Sequence, residues 1–474
     1  MANIVIMVGG VAVSHVLQTM RLANDLKARG HKITYSGLKK EVARIVEPRG
    51  FSFYHLDLYA SCSPSVAEVE VCLPCSQLPI IARTSNLLTA VRQARHEAQN
   101  KLAAISRGSC HRQMLDALAP TLLIVERTLV GSALPFRAWG VPMIMISPTL
   151  PWERSENVPP MSSHFVPSCS ALSRVRCAVE WWRRKLRLSL LLALTALVVP
   201  DVDRTTSHLR KLAKHYGVRF KKTFDTRRMP VGFQLPELIL CPASFDFPRS
   251  PLIDRYFVDS GVDVERYQAN ELEESLLRWI RPETPLVYCS FGTRLPIRPK
   301  PQEVLHKIVD ALIHRTSFQV VICAPDASLF AEYAARHERI MVIDKWISQV
   351  RVLEHAAVHI THGGFSSVRE SIECEVPLVV IPFDADQPGN AARVVYHGLG
   401  TRLLPKCFDG ELLVCQVLEV LECSSYRKRI REMKASFHRQ RSVQSAASVV
   451  EQFRSLTESA RWSPTLPPML ERPC

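Results

Sequence analysis

The run Thr361-His362-Gly363-Gly364-Phe365-Ser366-Ser367 sets an imidazole, two glycines and two hydroxyls where a strand-like apolar stretch gives way to helical spacing. Glycines let a backbone approach a ligand closely, and the hydroxyls add donors. A helix start adds unpaired N–H groups and the positive end of the helix dipole, a ready site for phosphate. Glu370 lies one turn further on, placed to accept hydrogen bonds from a sugar diol. Asp386 and Gln387 follow the next strand-like run, at the kind of strand end where open α/β sheets bind ligands. A diphosphate with hydroxyl-rich groups on both sides would satisfy all of these at once.

The elements that must hold these residues alternate between apolar strands and helices, the pattern of a parallel sheet covered by helices. In the first half, strands are expected at 3–8, 32–36, 122–125, 143–147, 238–241 and 255–258, with helices at 15–29 and 39–49. The pattern then restarts, with strands at 286–290, 319–323, 339–342, 358–361 and 378–381 and helices at 301–315 and 366–374. Two such sets imply an α/β protein with two Rossmann-like domains. The first spans 1–262, with an insert at about 151–230. A polar linker covers 263–283, the second domain with its final helices covers 284–460, and 461–474 is a Pro-rich tail expected to be disordered.

The segment from Trp346 to Asn390 resembles the donor-binding signature of the UDP-glycosyltransferase family, inverting enzymes of the GT-B fold. Trp346, Gln349, Leu353, His355, His362, Gly364, Ser367, Glu370, Pro377, Pro382, Asp386, Gln387 and Asn390 stand at matching spacing, and Pro285 to Thr293 resembles the first strand and loop of the family's C-terminal domain. The resemblance covers most of the chain and implies two domains facing each other across a cleft, in a bacterial or fungal type acting on natural products or lipids. It implies that Trp346 stacks on the nucleobase beside Gln349, that Glu370 holds the ribose, and that His362, Gly364, Ser366, Ser367 and Thr293 surround the diphosphate. Asp386 and Gln387 would grip the transferred sugar. The segment His15 to His31 matches the family's first loop and helix without a gap, so the catalytic histidine falls on His15. A helix start favours neutral imidazole, the form a general base requires. The carboxylate that orients it falls on Glu126, a longer side chain than the family's usual aspartate. Other departures are Ser14 for glycine, Gln18 for proline, Ser348 for proline, Ser366 for asparagine and Glu375 for a turn glycine, where positive φ is common.

The reaction so implied is transfer of a hexose, preferably glucose, from a UDP-sugar to a hydroxyl of a small lipophilic acceptor, with no metal and no cofactor beyond the nucleotide sugar. A non-catalytic GT-B-like auxiliary and a UDP-sugar epimerase of the same fold are the alternatives. A dehydrogenase is excluded because Gly9-Gly10-Val11-Ala12-Val13-Ser14 is not a dinucleotide fingerprint.

With 47% hydrophobic and 22% charged residues among 474, the chain is neither mainly disordered, nor collagen-like, nor a polytopic membrane protein. Its fourteen cysteines are scattered and no secretory signal opens the chain, so a reducing cytoplasm is the expected location. Cys72 and Cys75 have no second pair at zinc spacing and read as ordinary thiols. A net charge of +15 fits an anionic nucleotide or an anionic membrane surface, and no nucleic-acid motif accompanies it. The insert carries Trp181-Trp182-Arg183-Arg184-Lys185-Leu186-Arg187 and then an apolar run to Val199, too short to span a bilayer. It reads either as a helix packed over the acceptor cleft, the preferred reading, or as an amphiphilic helix in peripheral contact with a membrane.

Overall fold

Two wholly parallel sheets carry the chain. The first joins β1 (Asn3–Met7), β2 (Lys32–Gly37), β3 (Ser52–His55), β4 (Leu122–Glu126), β5 (Met143–Ser147), β6 (Glu237–Ile239) and β7 (Arg255–Phe257) in the order β3-β2-β1-β4-β5-β6-β7. The second joins β8 (Leu286–Ser290), β9 (Gln319–Cys323), β10 (Ile340–Ile343), β11 (Val358–Thr361), β12 (Leu378–Val380) and β13 (Gly400–Arg402) in the order β10-β9-β8-β11-β12-β13. These features belong to a computed structural model, which describes residues 1–9, 13–58, 105, 108–198, parts of 210–219, 233–262, 271–292, 299–324, 330–344 and 347–459.

Both sheets follow the doubly wound order, in which the chain reverses direction beside its first strand. The reversal lies between β1 and β4 in one sheet, registered by Ile4 on Leu122, and between β8 and β11 in the other, registered by Val287 on Val358. Strands β4, β5 and β8 are buried along their whole length because helices cover both faces, hence their nearly continuous apolar sequences. Six helices position the site or join the domains: α1 (Val13–Ala28), α2 (Ala171–Val198), α3 (Phe365–Glu373), α4 (Gln387–Tyr396), α5 (Ser424–Val443) and α6 (Ala446–Ser459).

The helix expected at 39–49 is instead three short turns, Lys40–Val42, Ala43–Val46 and Glu47–Arg49. Pro48 enters the last turn, and Gly50 at φ +78° ends it. Within the stretch expected to be a linker, Glu271–Trp279 is helical, and buried Glu273 accepts a hydrogen bond from the Ser348 amide at 2.9 Å. The short strands β3 and β13 carry too few apolar residues to be seen in the sequence pattern. Cys72, Cys75, the tail beyond residue 459 and most of the basic run at 211–228 lie outside the described residues.

The two domains share a core. Leu150, Met161, Ile239 and Phe245 from the first pack with Phe365, Val368, Leu378 and Val394 from the second. Helix α6 crosses back, burying Ala447, Val450 and Phe453 against the first sheet, and its Glu451 pairs with Arg29 and His31. Gly389 on α4 lies so close to the insert that a Cβ would stand 2.5 Å from the Met161 carbonyl oxygen; its amide donates to that oxygen at 2.7 Å.

Candidate active site

Chemistry-bearing residues gather at the two points where strand order reverses. In the first domain, β4 ends on Glu126, which is 3% exposed. Glu126 Oε1 lies 3.0 Å from Nδ1 of His15, the third residue of α1, and also accepts from the Thr128 hydroxyl at 3.1 Å. Oε2 accepts from the Gly9 amide, just past β1, at 2.6 Å. Burial alone would push this carboxyl up, but its bonds to His15, Gly9 and Thr128 outweigh that and hold it below its usual value. A carboxylate facing Nδ1 keeps the proton on that nitrogen and leaves the lone pair on Nε2. The additional methylene of glutamate therefore does not prevent the dyad.

Beside Glu126, Arg127 is buried with Glu237, which it binds through both Nε and Nη2, and with Glu153 at 3.1 Å. Arg255 completes the cluster, 2.6 Å from Glu237. Two guanidinium groups facing two carboxylates balance their charge around the buried Arg127–Glu237 pair, which fixes the chain as it leaves β4. The sequence pattern gave no sign of this cluster, because its members are far apart along the chain.

In the second domain, β11 ends at Thr361, and His362-Gly363-Gly364 leads into α3. The His362 ring is wedged between two glycines: a Cβ on Gly364 would come within 2.6 Å of it and one on Gly292 within 2.9 Å. Gly363 has φ +84°, and a Cβ there would strike Val380. Contact requires all three glycines, and positive φ requires Gly292 and Gly363 as well. Ser366 and Ser367 occupy the first turn of α3, whose early N–H groups have no partner within the helix.

Gln18 Nε2 donates to Ser366 Oγ at 2.7 Å across the cleft. Two departures from the family pattern, Gln18 and Ser366, are thus the two ends of one bond. It leaves the Ser366 hydroxyl hydrogen available to donate.

Glu370 receives a short hydrogen bond from Gln349 Nε2, and Tyr288 donates to Gln349 Oε1 at 3.5 Å. Burial raises the Glu370 carboxyl to about 7, with Arg369 and Gln349 opposing the rise. Asp386 is likewise raised by burial, opposed by Asn390 and by the charge of His15 across the cleft. The loop before it is strained, with Ala385 at φ +53°. Gln387 Oε1 ties that loop by accepting from the Phe383 and Asp384 amides at 2.9 and 3.2 Å.

Asn390, fully buried, joins Asp386 Oδ2 at 3.0 Å to the Gly363 carbonyl at 2.9 Å, linking the two candidate loops. It was expected only as part of the signature spacing; its placement four residues after Asp386 is the signal from which this link could have been read. Trp346 and Thr293 lie outside the described residues.

Glu375 does have the positive φ of a turn glycine, +60°. Its carboxylate accepts from Lys434 on α5, 3.0 Å away. Among the described residues no cluster of histidine, cysteine or carboxylate side chains could hold a metal.

Residues 223–450 match the family model for UDP-glucoronosyl and UDP-glucosyl transferase. The resemblance of the sequence to the UDP-glycosyltransferase family is thereby borne out. The match spans the second domain and stops short of His15 and Glu126. Likeness over the whole length comes from relatives. A zeaxanthin glucosyltransferase of Pseudescherichia vulneris is 25% identical over 94% of this chain and 97% of its own. A zeaxanthin glucosyltransferase of Pantoea ananas is 24% identical over 93% of each. The solved glycosyltransferase of kitacinnamycin superposes with TM-score 0.63 at 20% identity, covering 96% of this chain and 99% of that one, which shows the shared GT-B fold. The enzyme is thus a UDP-glycosyltransferase of two Rossmann-like domains.

Proposed function

We propose that this UDP-glycosyltransferase moves a hexose, with UDP-glucose as preferred donor, to a hydroxyl of a small lipophilic acceptor with inversion at the anomeric carbon. His15 Nε2 takes the acceptor proton while the acceptor oxygen bonds to the anomeric carbon. The bond from that carbon to the diphosphate breaks, and the nucleoside diphosphate leaves with the electron pair. Glu126 holds His15 in the required tautomer and stabilises the imidazolium that forms.

Charge developing on the leaving diphosphate meets His362, Ser366, Ser367 and the N–H groups at the start of α3, an electrostatic role that requires no metal. Glu370 and Gln349 would hold the ribose and base side of the donor, with Trp346 and Thr293 beside them. Asp386 and Gln387 would hold the sugar. Free thiols throughout the described residues fit a cytoplasmic enzyme.

The observation that carries this reading is the His15–Glu126 pair at 3.0 Å, with His15 on the same helix as Gln18, whose amide reaches Ser366 of the opposite domain at 2.7 Å. The proposed base and the proposed diphosphate-binding helix start are then neighbours across the two domains. The name of the relatives, zeaxanthin glucosyltransferase, supports glucose and a lipophilic alcohol. The test is a panel of UDP- and dTDP-sugars, each incubated with hydroxylated apolar acceptors, with products separated by chromatography and their anomeric linkage read by NMR. Glucosides of inverted configuration, formed fastest from UDP-glucose, are expected. Retained configuration, or donor cleavage without transfer to any alcohol, would overturn the reading.

A further inference from the structure

Helix α2 has two opposite faces that both look like interiors. On one, Ser173, Cys177 and Leu188 are buried against the protein, and Trp181 Nε1 donates to the Val158 carbonyl at 2.8 Å. On the other stand Leu172, Val175, Val179, Trp182, Leu186 and Leu190, all exposed, with Leu172 at 77% and Trp182 at 61%. Their spacing of three and four residues keeps them within an arc of about 80°, directly opposite the buried edge. The preferred expectation for this insert, a helix covering a cleft, accounts for the first face and leaves the second unexplained.

What flanks the exposed stripe decides its partner. Helical spacing puts Arg176, Arg183 and Arg187 along one side and Arg174 and Lys185 along the other, all exposed. Arg176, Arg183, Arg184 and Arg187, joined by Arg402, also line a cavity of about 710 Å³ beside the stripe, where Glu180 is the one lining carboxylate. An apolar strip between two cationic rows matches a layer of acyl chains beneath anionic headgroups. A second copy of this helix would not fit, since a two-fold pairing sets cationic rows against cationic rows. No helix among the described residues is long and apolar enough to cross a membrane.

We propose that α2 lies flat on an anionic lipid bilayer, with its apolar stripe among the acyl chains and its arginine rows and cavity at the headgroup phosphates. The proposal is independent of which sugar or acceptor the enzyme uses.

Flotation of the full chain is compared on phosphatidylcholine vesicles and on vesicles in which phosphatidylglycerol replaces part of that lipid. Binding is expected to the anionic vesicles alone and to weaken as salt rises. A Val179→Glu/Trp182→Glu/Leu186→Glu variant, and separately Arg183→Glu/Arg187→Glu, should each lose at least about tenfold in vesicle affinity. All five positions are on the exposed side of the helix, so both variants should melt with the wild type and keep its UDP-sugar hydrolysis. Brominated acyl chains should quench wild-type fluorescence more than that of Trp182→Phe, placing the stripe below the headgroups. Protein left in the soluble fraction with every vesicle would overturn the proposal. So would equal binding to both lipids, a wild-type dimer in sizing chromatography that the apolar variant abolishes, or displacement from vesicles by inorganic phosphate with no loss in the stripe variant.

Discussion

The site uses two carboxylates that burial treats in the same way and that end in different states. Glu126 gathers donors from His15, Gly9 and Thr128 and stays charged, as the partner of a base must. Glu370 has fewer donors and rises to about 7, so near neutrality it is only partly ready for its proposed role of accepting hydrogen bonds from ribose hydroxyls. The folded protein therefore holds the Glu370 proton more tightly than the unfolded chain does, and nucleotide binding must work against that as pH falls. UDP affinity, followed by calorimetry, is expected to rise about tenfold from pH 6 to pH 8, and Glu370→Gln should bind more weakly and flatten that part of the profile. An unchanged slope in the variant would place the titrating group elsewhere. Glu126→Gln removes the charge that favours imidazolium and disturbs the tautomer. It should lower kcat by about 10²–10³-fold with UDP affinity nearly unchanged, as steady-state kinetics would show. The types and spacing of these residues were legible in the sequence. Their protonation was not, because it depends on how many donors the fold turns toward each carboxylate.

At the scale of elements, most strands and the site helices α1 and α3 followed from apolar periodicity, whereas α4 was not expected; a parallel sheet buried on both faces has to be written in runs of valine, isoleucine and leucine. Short pieces with mixed burial, such as β13 and the broken turns over 40–49, carry too little of that pattern. Backbone geometry was partly legible. The left-handed conformation at Glu375 was foreseeable from a position where glycine is usual, whereas Ala385 gave no sign of its own. Both positions are strained for a side chain, by about 1–2 kcal/mol. Glu375 offsets part of this through Lys434, a half-exposed pair worth about 1 kcal/mol at most. Glu375→Ala loses the pair and keeps the strain, so it should be less stable than the wild type. Glu375→Gly loses the pair and relieves the strain, and should exceed the alanine variant by about 1 kcal/mol in urea unfolding. Equal stability of the two variants would mean that the turn relaxes at no cost.

At the scale of the molecule, the enzyme works only if two domains hold their halves of the site in register. The contacts that do so were invisible in the sequence, because each joins segments more than a hundred residues apart. Arg393 on α4 is fully buried and binds Asp246 from the first domain at 2.6 and 2.9 Å, while Arg249 holds the other oxygen of that carboxylate at 2.5 Å. The Phe247 ring lies against the Arg393 guanidinium, 4.3 Å from its centroid. Arg393→Met leaves the carboxylate short of one partner in a dry interface and should cost about 3–5 kcal/mol, read by denaturant unfolding, with transfer activity falling at lower denaturant than in the wild type. Helix α6, placed with the second domain by sequence order, packs on the first, so the chain closes on itself. The central claim remains that an imidazole from one domain deprotonates the alcohol that attacks a sugar held by the other. It is tested most directly by the transfer rate of His15→Ala at saturating UDP-glucose, with UDP affinity measured on the same sample. The account predicts a loss of about 10²–10⁴-fold in transfer with UDP binding intact. Transfer within a few-fold of the wild type would contradict it.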